Sequence, residues 1–227
     1  MRIKHILLIY SFLFSVNASA QDKVIWEKLE VDENLTVQFP KDLEKIDTVL
    51  YKDNTRLKFK VYKAKTSNSN FGITVTPEGT DIKIDNLEEL DEAYKGIETG
   101  FRKNATSKGL SCDFMDTVID KIKGRKVVMY NKGSEDFPSA IFYLFLVNDK
   151  LYEIACAPIS GSVLEAGDRN KFITGLHFTT AEISEEKFGS KAESRVSKIG
   201  ELIGELIGYL LMIGLVVGTI IYITKRK

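Results

Sequence analysis

The last segment of the chain constrains its architecture more than any other. From Leu206 to Thr224, nineteen residues carry no charge, and eleven of them are Leu, Ile or Val. A helix of that length extends about 28 Å, close to the roughly 30 Å hydrocarbon core of a bilayer. Tyr209 and Tyr222 lie near its ends, where aromatic rings favour the membrane–water boundary. The alternative is a buried core helix, but such helices are usually amphipathic or shorter. We therefore predict a transmembrane helix over residues 199–224.

The start of the chain has the three parts of a secretory signal. Arg2 and Lys4 supply a positive n-region. The eleven-residue apolar stretch from Ile6 to Val16 is too short to span a bilayer. Residues 18–20, Ala-Ser-Ala, form a cleavage site of the A-x-A type. The mature chain is therefore expected to begin at Gln21.

The two ends together predict an exported domain on a single membrane anchor. Residues 1–20 are expected to be a cleaved signal peptide, and residues 21–178 an exported domain. The polar, Ser-rich residues 179–198 are expected to form a stalk. The basic residues 225–227 then stay in the cytoplasm, as the positive-inside bias requires. The expected location is the cell (inner) membrane, crossed once, with the domain periplasmic or extracellular.

Composition excludes one class of partner. The 32 Lys and Arg residues balance the 32 Asp and Glu residues, and the exported part alone is slightly acidic. Such a surface offers no electrostatic footprint for nucleic acid, so the expected partners are the lipid bilayer and other proteins.

Apolar periodicity predicts an α+β domain. Strand patterns occur at residues 34–39, 57–62, 72–76, 127–130 and, as a hairpin around the turn 148–150, at 140–147 and 151–157. The continuous apolar run from Ala140 to Val147 is typical of a strand covered on both faces. This order of strands, helix, strands and helix predicts a mainly antiparallel sheet flanked by helices.

Two segments have the pattern of amphipathic helices. Asn86 followed by Glu89 predicts a capped helix start, and Gly109 is expected to follow the end of that helix. Its apolar stripe comprises Leu87, Leu90, Tyr94, Ile97 and Phe101. A second helix is predicted to begin near Ser162, to end between Gly175 and Phe178, and to place on one side Leu164, Phe172 and Leu176.

The residues that could carry chemistry are few. His177 is the only histidine of the mature chain and lies between apolar residues, which favours a structural role. Cys112 and Cys156 are either two buried thiols or one disulfide. The acidic residues at 88, 89, 91 and 92 are interpreted as the solvated face of a helix. We therefore predict no catalytic residue, no metal site and no cofactor.

Small residues recur in the anchor. On a helical wheel they fall within an arc of roughly 120°, and they are Gly200, Gly204, Gly208, Gly214 and Gly218. Glycine is common in membrane helices, but clustering on one face lets two helix backbones approach closely. The pattern favours packing against another membrane helix or the same helix of a second copy.

The layout of the exported part resembles one known fold. Trp26 precedes a strand that ends at Phe39-Pro40, and Gly124-Arg125-Lys126, the paired strands and a closing Phe172-x-x-x-Leu176-x-Phe178 follow. This resembles the PsbP-like family, named for an extrinsic photosystem II protein and shared with a Ran-binding import factor. The resemblance spans residues 24–178 and implies a central antiparallel sheet between helical layers.

The same resemblance implies binding or assembly rather than catalysis. We therefore expect a membrane-anchored exported binding or accessory module without an evident catalytic site. The alternative is an enzyme that uses carboxylates or tyrosines in a pocket that the sequence does not reveal.

Overall fold

The computed structural model describes residues 24–52, 55–76, 84, 86–133, 136–148, 150–159 and 164–179. Within these residues the chain forms ten strands and two helices. In chain order they are β1 (Trp26–Glu30), β2 (Leu35–Pro40), β3 (Glu44–Lys52), β4 (Thr55–Lys65), β5 (Ser69–Val75), α1 (Leu87–Ser107), β6 (Leu110–Ile119), β7 (Ile122–Asn131), β8 (Ala140–Val147), β9 (Lys150–Pro158), α2 (Ala166–Thr174) and β10 (His177–Phe178).

The strands form two antiparallel sheets. The larger has seven strands in the order β3-β4-β5-β9-β8-β7-β6, and the smaller has the order β1-β2-β10. The predicted hairpin of β8 and β9 lies inside the large sheet, and all eight residues of β8 are buried. The expected α+β class with a mainly antiparallel sheet is therefore confirmed.

Helix α1 covers one face of the large sheet, which we call the helix face. It begins at the predicted cap, where the Asn86 side chain accepts a hydrogen bond from the Glu89 N–H at 2.9 Å. Its apolar stripe packs on β6, β7 and β8, with the Phe101 ring 5.6 Å from that of Phe142. The chain turns after α1 at Gly109. Its φ angle is +72°, which a glycine adopts without strain.

The small sheet and α2 cover the opposite face, which we call the small-sheet face. Phe172 of α2 is fully buried there, with its ring centroid 4.9 Å from that of Phe71 and 5.5 Å from that of Phe39. Leu176 belongs to the same core and Leu164 packs against it, but both lie outside α2 rather than on one side of that helix, as was predicted. The molecule is thus layered as a helix, a large sheet, and a small sheet with a short helix.

Tyr94 holds the helix to the sheet through backbone groups. Its hydroxyl donates to the Lys123 carbonyl and accepts from the Leu146 N–H, each at 3.0 Å. Lys123 and Leu146 lie just beyond Gly124 and Phe145, the last residues paired between β7 and β8, so the hydroxyl bridges the two strands where their pairing ends. A Cβ on the neighbouring Gly124 would lie 2.5 Å from the Leu144 carbonyl oxygen, so only glycine fits there.

Two details differ from the sequence-based predictions. Helix α2 begins at Ala166 rather than near Ser162, and it ends at Thr174 rather than between Gly175 and Phe178, because His177 and Phe178 pair with β2 as strand β10. Glu89 is buried rather than solvated, because α1 is buried along a second stripe. That stripe carries no hydrophobic signal, since its other members are Ala93, Gly96, Gly100 and Asn104.

The predicted signal peptide, the stalk beyond residue 179 and the anchor with its five glycines lie outside the described residues. In the part of the chain that the structure describes, no helix is both long and apolar enough to cross a membrane.

Candidate functional site

Polar side chains from two distant parts of the chain meet beside the β8–β9 turn. We call them the Asp32 cluster, and they are Asp32, Glu33, Asn34, Asn148, Lys150 and Tyr152. The Tyr152 hydroxyl donates to Asp32 Oδ2 at 2.8 Å and accepts from Asn34 Nδ2 at 2.9 Å. Lys150 Nζ lies 3.2 Å from Asp32 Oδ2 and 2.6 Å from Glu33 Oε1.

The acceptors of the Asp32 cluster are occupied by partners within the chain. Asp32 Oδ1 accepts from the backbone N–H groups of Asn34 and Leu35 at 3.0 and 3.2 Å. Burial raises the pKa of the Tyr152 hydroxyl, and the adjacent Asp32 raises it further. The hydrogen bond from Lys150 lowers the pKa of Glu33. This arrangement joins the β1–β2 turn to β9, and we interpret it as a structural clasp.

Glu153, the next residue after Tyr152, lies on the helix face of β9. The residue is 2% exposed, and its Oε2 atom has no hydrogen-bond partner among the residues that the structure describes. Its cross-strand neighbours are Thr74 and Leu144, and Arg125 lies one strand farther along the same row. Burial raises the pKa of Glu153 to about 8, so the buried carboxyl is mostly protonated at neutral pH.

The outer edge of β6 is open among the described strands. Arg102 Nη1 of α1 donates to the Cys112 carbonyl at 2.8 Å, so this carbonyl points away from β7. Backbone groups alternate in direction along a strand, so those of Phe114, Asp116 and Val118 also point outward. We call these outward groups the open edge. Next to them the side chains of Met115 and Val118 are 42% and 62% exposed.

Two arginines from neighbouring elements flank the open edge. The Arg102 guanidinium lies 4.8 Å from the Phe114 ring centroid and pairs with Glu98 at 2.7 Å. Arg125 of β7 pairs with Asp116 and lies 3.4 Å from Asp91 of α1. Two guanidinium groups held by ion pairs therefore lie next to the open edge. The exposed side chains of that edge include Asp116, Met115 and Val118.

The opposite edge strand, β3, is different in character. It carries Glu44, Lys45, Asp47 and Lys52, and lysine on an edge discourages pairing with another chain. Strand β6 carries no lysine. The β6 edge is therefore the better surface for adding a further strand.

The two cysteines are free buried thiols, which is the first of the two alternatives drawn from the sequence. Cys112 belongs to the core of the helix face and Cys156 to that of the small-sheet face. Three strand spacings of about 4.8 Å also separate them, whereas a disulfide requires Cα atoms within about 7 Å. Burial raises the pKa of both thiols, which makes them poor nucleophiles.

His177 is exposed at the start of β10, and its Nδ1 atom lies 3.5 Å from Asp120 Oδ2. That carboxylate also accepts the Phe178 N–H at 2.9 Å, so the pair fixes the β6–β7 turn to β10. Among the described residues, no three His, Cys, Asp or Glu side chains are grouped as metal ligands. The Asp32 cluster had no signal in the sequence, because its members are distant in the chain. The open edge had none, because β6 mixes polar and apolar residues on both faces.

Comparisons with known proteins add no assignment. The sequence matches no protein-family model, and no curated protein is significantly similar to it. The PsbP-like resemblance therefore stays a prediction, and the site is interpreted from its geometry.

Proposed function

We propose that this chain is a membrane-anchored exported module that binds a protein partner and serves as an accessory subunit of an envelope complex. The open edge is the observation that carries the proposal. An exposed strand edge binds extended segments through backbone hydrogen bonds, and side chains on alternate positions add specificity. Met115 and Val118 are exposed on the two faces of that edge, beside the charged pair of Asp116 and Arg125.

The Asp32 cluster supports the same proposal in a different way. Four ionisable side chains meet there, Asp32, Glu33, Lys150 and Tyr152, yet they bond mainly to one another. A general acid or base must reach a substrate, whereas these groups hold β1 and β2 against the β8–β9 hairpin. We therefore assign this cluster to stability and the β6 edge to function.

Topology is part of the proposal. The A-x-A site and the basic residues 225–227 support a domain outside the cytoplasm, with Gln21 as the first residue of the mature chain. Protease added to spheroplasts is expected to digest the domain while a cytoplasmic control protein stays intact. If the domain stays protected while an exported control is cut, this topology is wrong.

The binding test uses one substitution on each sheet edge. The full chain is recovered from its native membranes in mild detergent, and captured proteins are identified by mass. Met115→Lys places an extra positive charge at the open edge and is expected to abolish capture. Val49→Lys is the matched control, because Val49 is similarly exposed at 37% but lies on β3. Equal capture by both variants and by the wild type would contradict binding through β6.

A second candidate function is supported by Glu153. A carboxyl with a pKa near neutrality suits general acid–base chemistry, and perturbed groups concentrate at functional sites. This enzyme would use Glu153 on the helix face as its proton donor. Its test is the reaction of the carboxyl with a small water-soluble carbodiimide at neutral pH. Labelling of Glu153 in the folded chain would show access for a substrate, and protection would exclude this role.

A further inference from the structure

We propose that the occupant of the open edge is β6 of a second copy of this chain, paired antiparallel with the two Met115 residues opposite each other. This inference rests on the proposed function, because it names the partner of the same edge. It adds a register, a two-fold axis and a set of charge contacts that can be tested one by one.

The direction of the backbone groups limits the registers. The outward groups belong to Cys112, Phe114, Asp116 and Val118, and the Cys112 carbonyl is already occupied by Arg102. The Met129 carbonyl opposite Cys112 accepts the Ser139 N–H at 2.7 Å, on the side away from β6. This agrees with an outward direction at Cys112. Among the described residues, Phe114 and Asp116 in the middle of β6 therefore have outward N–H and C=O groups that can both pair with a further strand.

Side-chain faces limit the registers further. In an antiparallel pair, directly opposed residues lie on the same face of the sheet. A two-fold axis normal to the sheet therefore lies midway between the two copies of one residue. An axis at Phe114 would place the partner's Asp116 opposite Cys112, whose carbonyl is occupied. An axis at Asp116 would place two carboxylates opposite each other, which is destabilising. The axis at Met115 keeps the carboxylates apart and leaves its two central pairs, Phe114 with Asp116 of the partner subunit and the reverse, free of Cys112. Cys112 lies opposite Val118 of the partner subunit only at the outer ends of the paired strands.

Charges are complementary in this register. Phe114 lies opposite Asp116 of the partner subunit, and opposed side chains in such pairs have Cβ atoms about 5 Å apart. Arg102 lies over the Phe114 ring at 4.8 Å, so it faces that incoming carboxylate. The two-fold axis repeats the contact, which gives two Arg102–Asp116 contacts across the interface.

Apolar contacts complete the match. Met115 is 42% exposed, and the axis places it against the partner's Met115, so both thioether side chains become covered. Asp113 lies opposite Thr117 of the partner subunit, so no like charges oppose each other directly along the paired strands. The joined strands would extend two seven-stranded sheets into one continuous sheet.

Single cysteines test the register in the full chain within native membranes. Met115→Cys places two thiols on the axis, at a distance that suits a disulfide, and a mild copper–phenanthroline oxidant should convert most of the chain to a covalent dimer. Val49→Cys is the matched control, because Val49 is exposed at 37% but lies on β3, the opposite edge of the large sheet. The native Cys112 and Cys156 are buried and remain in every variant.

A several-fold higher dimer yield for Met115→Cys than for Val49→Cys supports the proposed pairing. Equal yields, or a dominant yield for Asp116→Cys, would overturn the register. A monomeric wild-type mass in mild detergent together with no cross-link at Met115 would overturn the second copy as the occupant. If Met115→Lys still abolished capture of another protein in that case, the proposed function would stand and only this inference would fail.

Discussion

Tyr152 and Glu153 are consecutive residues of β9, and both are almost completely buried, yet their surroundings are opposite. Tyr152 lies on the small-sheet face, where its hydroxyl is bonded to both Asp32 and Asn34. Glu153 lies on the helix face, where no described residue forms a hydrogen bond with its Oε2 atom. Successive side chains of a strand point to opposite faces, so one step along the chain exchanges one environment for the other.

The difference shows what burial of a polar group costs. A buried group with partners approximately recovers the energy of leaving water, whereas an unpartnered one does not. In its buried position Glu153 has a lower free energy when it is protonated, so its burial makes the stability of the fold depend on pH. The small-sheet face is expected to be sensitive to the loss of partners, and the helix face to be sensitive to pH.

The largest expected effect comes from removing the centre of the small-sheet core. Phe172→Ala should reduce the free energy of unfolding by about 3–5 kcal/mol, because Phe172 is fully buried against Phe39 and Phe71. Urea unfolding of residues 21–179, followed by Trp26 fluorescence, measures it. Phe137→Ala is the control, since Phe137 is 62% exposed and should change stability by less than about 0.5 kcal/mol. An unchanged midpoint for Phe172→Ala would remove α2 from this core.

The second prediction concerns the helix face and pH. Burial raises the pKa of Glu153 from 4.5 to about 8, so the folded state holds this proton more tightly than the unfolded state does. The resulting stability is complete below the unfolded pKa and is lost as pH rises through the folded pKa. Each pKa unit corresponds to about 1.4 kcal/mol, so the loss between about pH 5 and pH 9 is on the order of a few kcal/mol.

Glu153→Gln should remove that slope, because the amide does not ionise. Urea unfolding of residues 21–179 at a series of pH values gives the comparison, and the difference between wild type and variant isolates the contribution of Glu153. Tyr152→Phe is the neighbouring control and should keep the wild-type slope. Parallel profiles for wild type and Glu153→Gln would show that the carboxyl has partners or solvent in solution.

The third prediction tests the clasp on the other face. Asp32→Ala removes an acceptor from the Tyr152 hydroxyl, from Lys150 and from two backbone N–H groups. We expect a loss of about 1–3 kcal/mol, because these buried donors are left without their acceptor. Asp32→Asn keeps one acceptor oxygen and should lose less. Equal losses for the two variants would mean that the charge, rather than the hydrogen bonds, stabilises the cluster.

The smallest expected effect is that of the Tyr152 hydroxyl alone. Tyr152→Phe keeps the ring packed against Phe178 and removes one donor to Asp32 and one acceptor from Asn34. The expected loss is about 1 kcal/mol, a typical net value for a hydrogen bond. Thermal unfolding at fixed pH should resolve it. A loss as large as that of Phe172→Ala would mean that the whole Asp32 cluster reorganises.

Strong periodic patterns were enough to predict the centre of this fold. The run at Ala140–Val147 became a fully buried strand, and the stripe that includes Phe101 became the sheet-facing side of α1. Strands β3 and β6 were not predicted as such, since edge strands bury fewer side chains and mix charges into both faces. The burial of Glu89 was missed for a related reason, because glycine and alanine on its stripe give no hydrophobic contrast.

The sequence by itself therefore determined the elements in which one face, or both, is strongly apolar, since periodicity is a local property of the chain. It also predicted the signal peptide and the anchor, whose lengths are set by a membrane rather than by the fold. Only the tertiary structure brought Asp32 to Tyr152, 120 positions away, and placed Cys112 and Cys156 on opposite faces. Such pairings depend on strand order and register, and two strands can be paired in several ways without changing the pattern of either one.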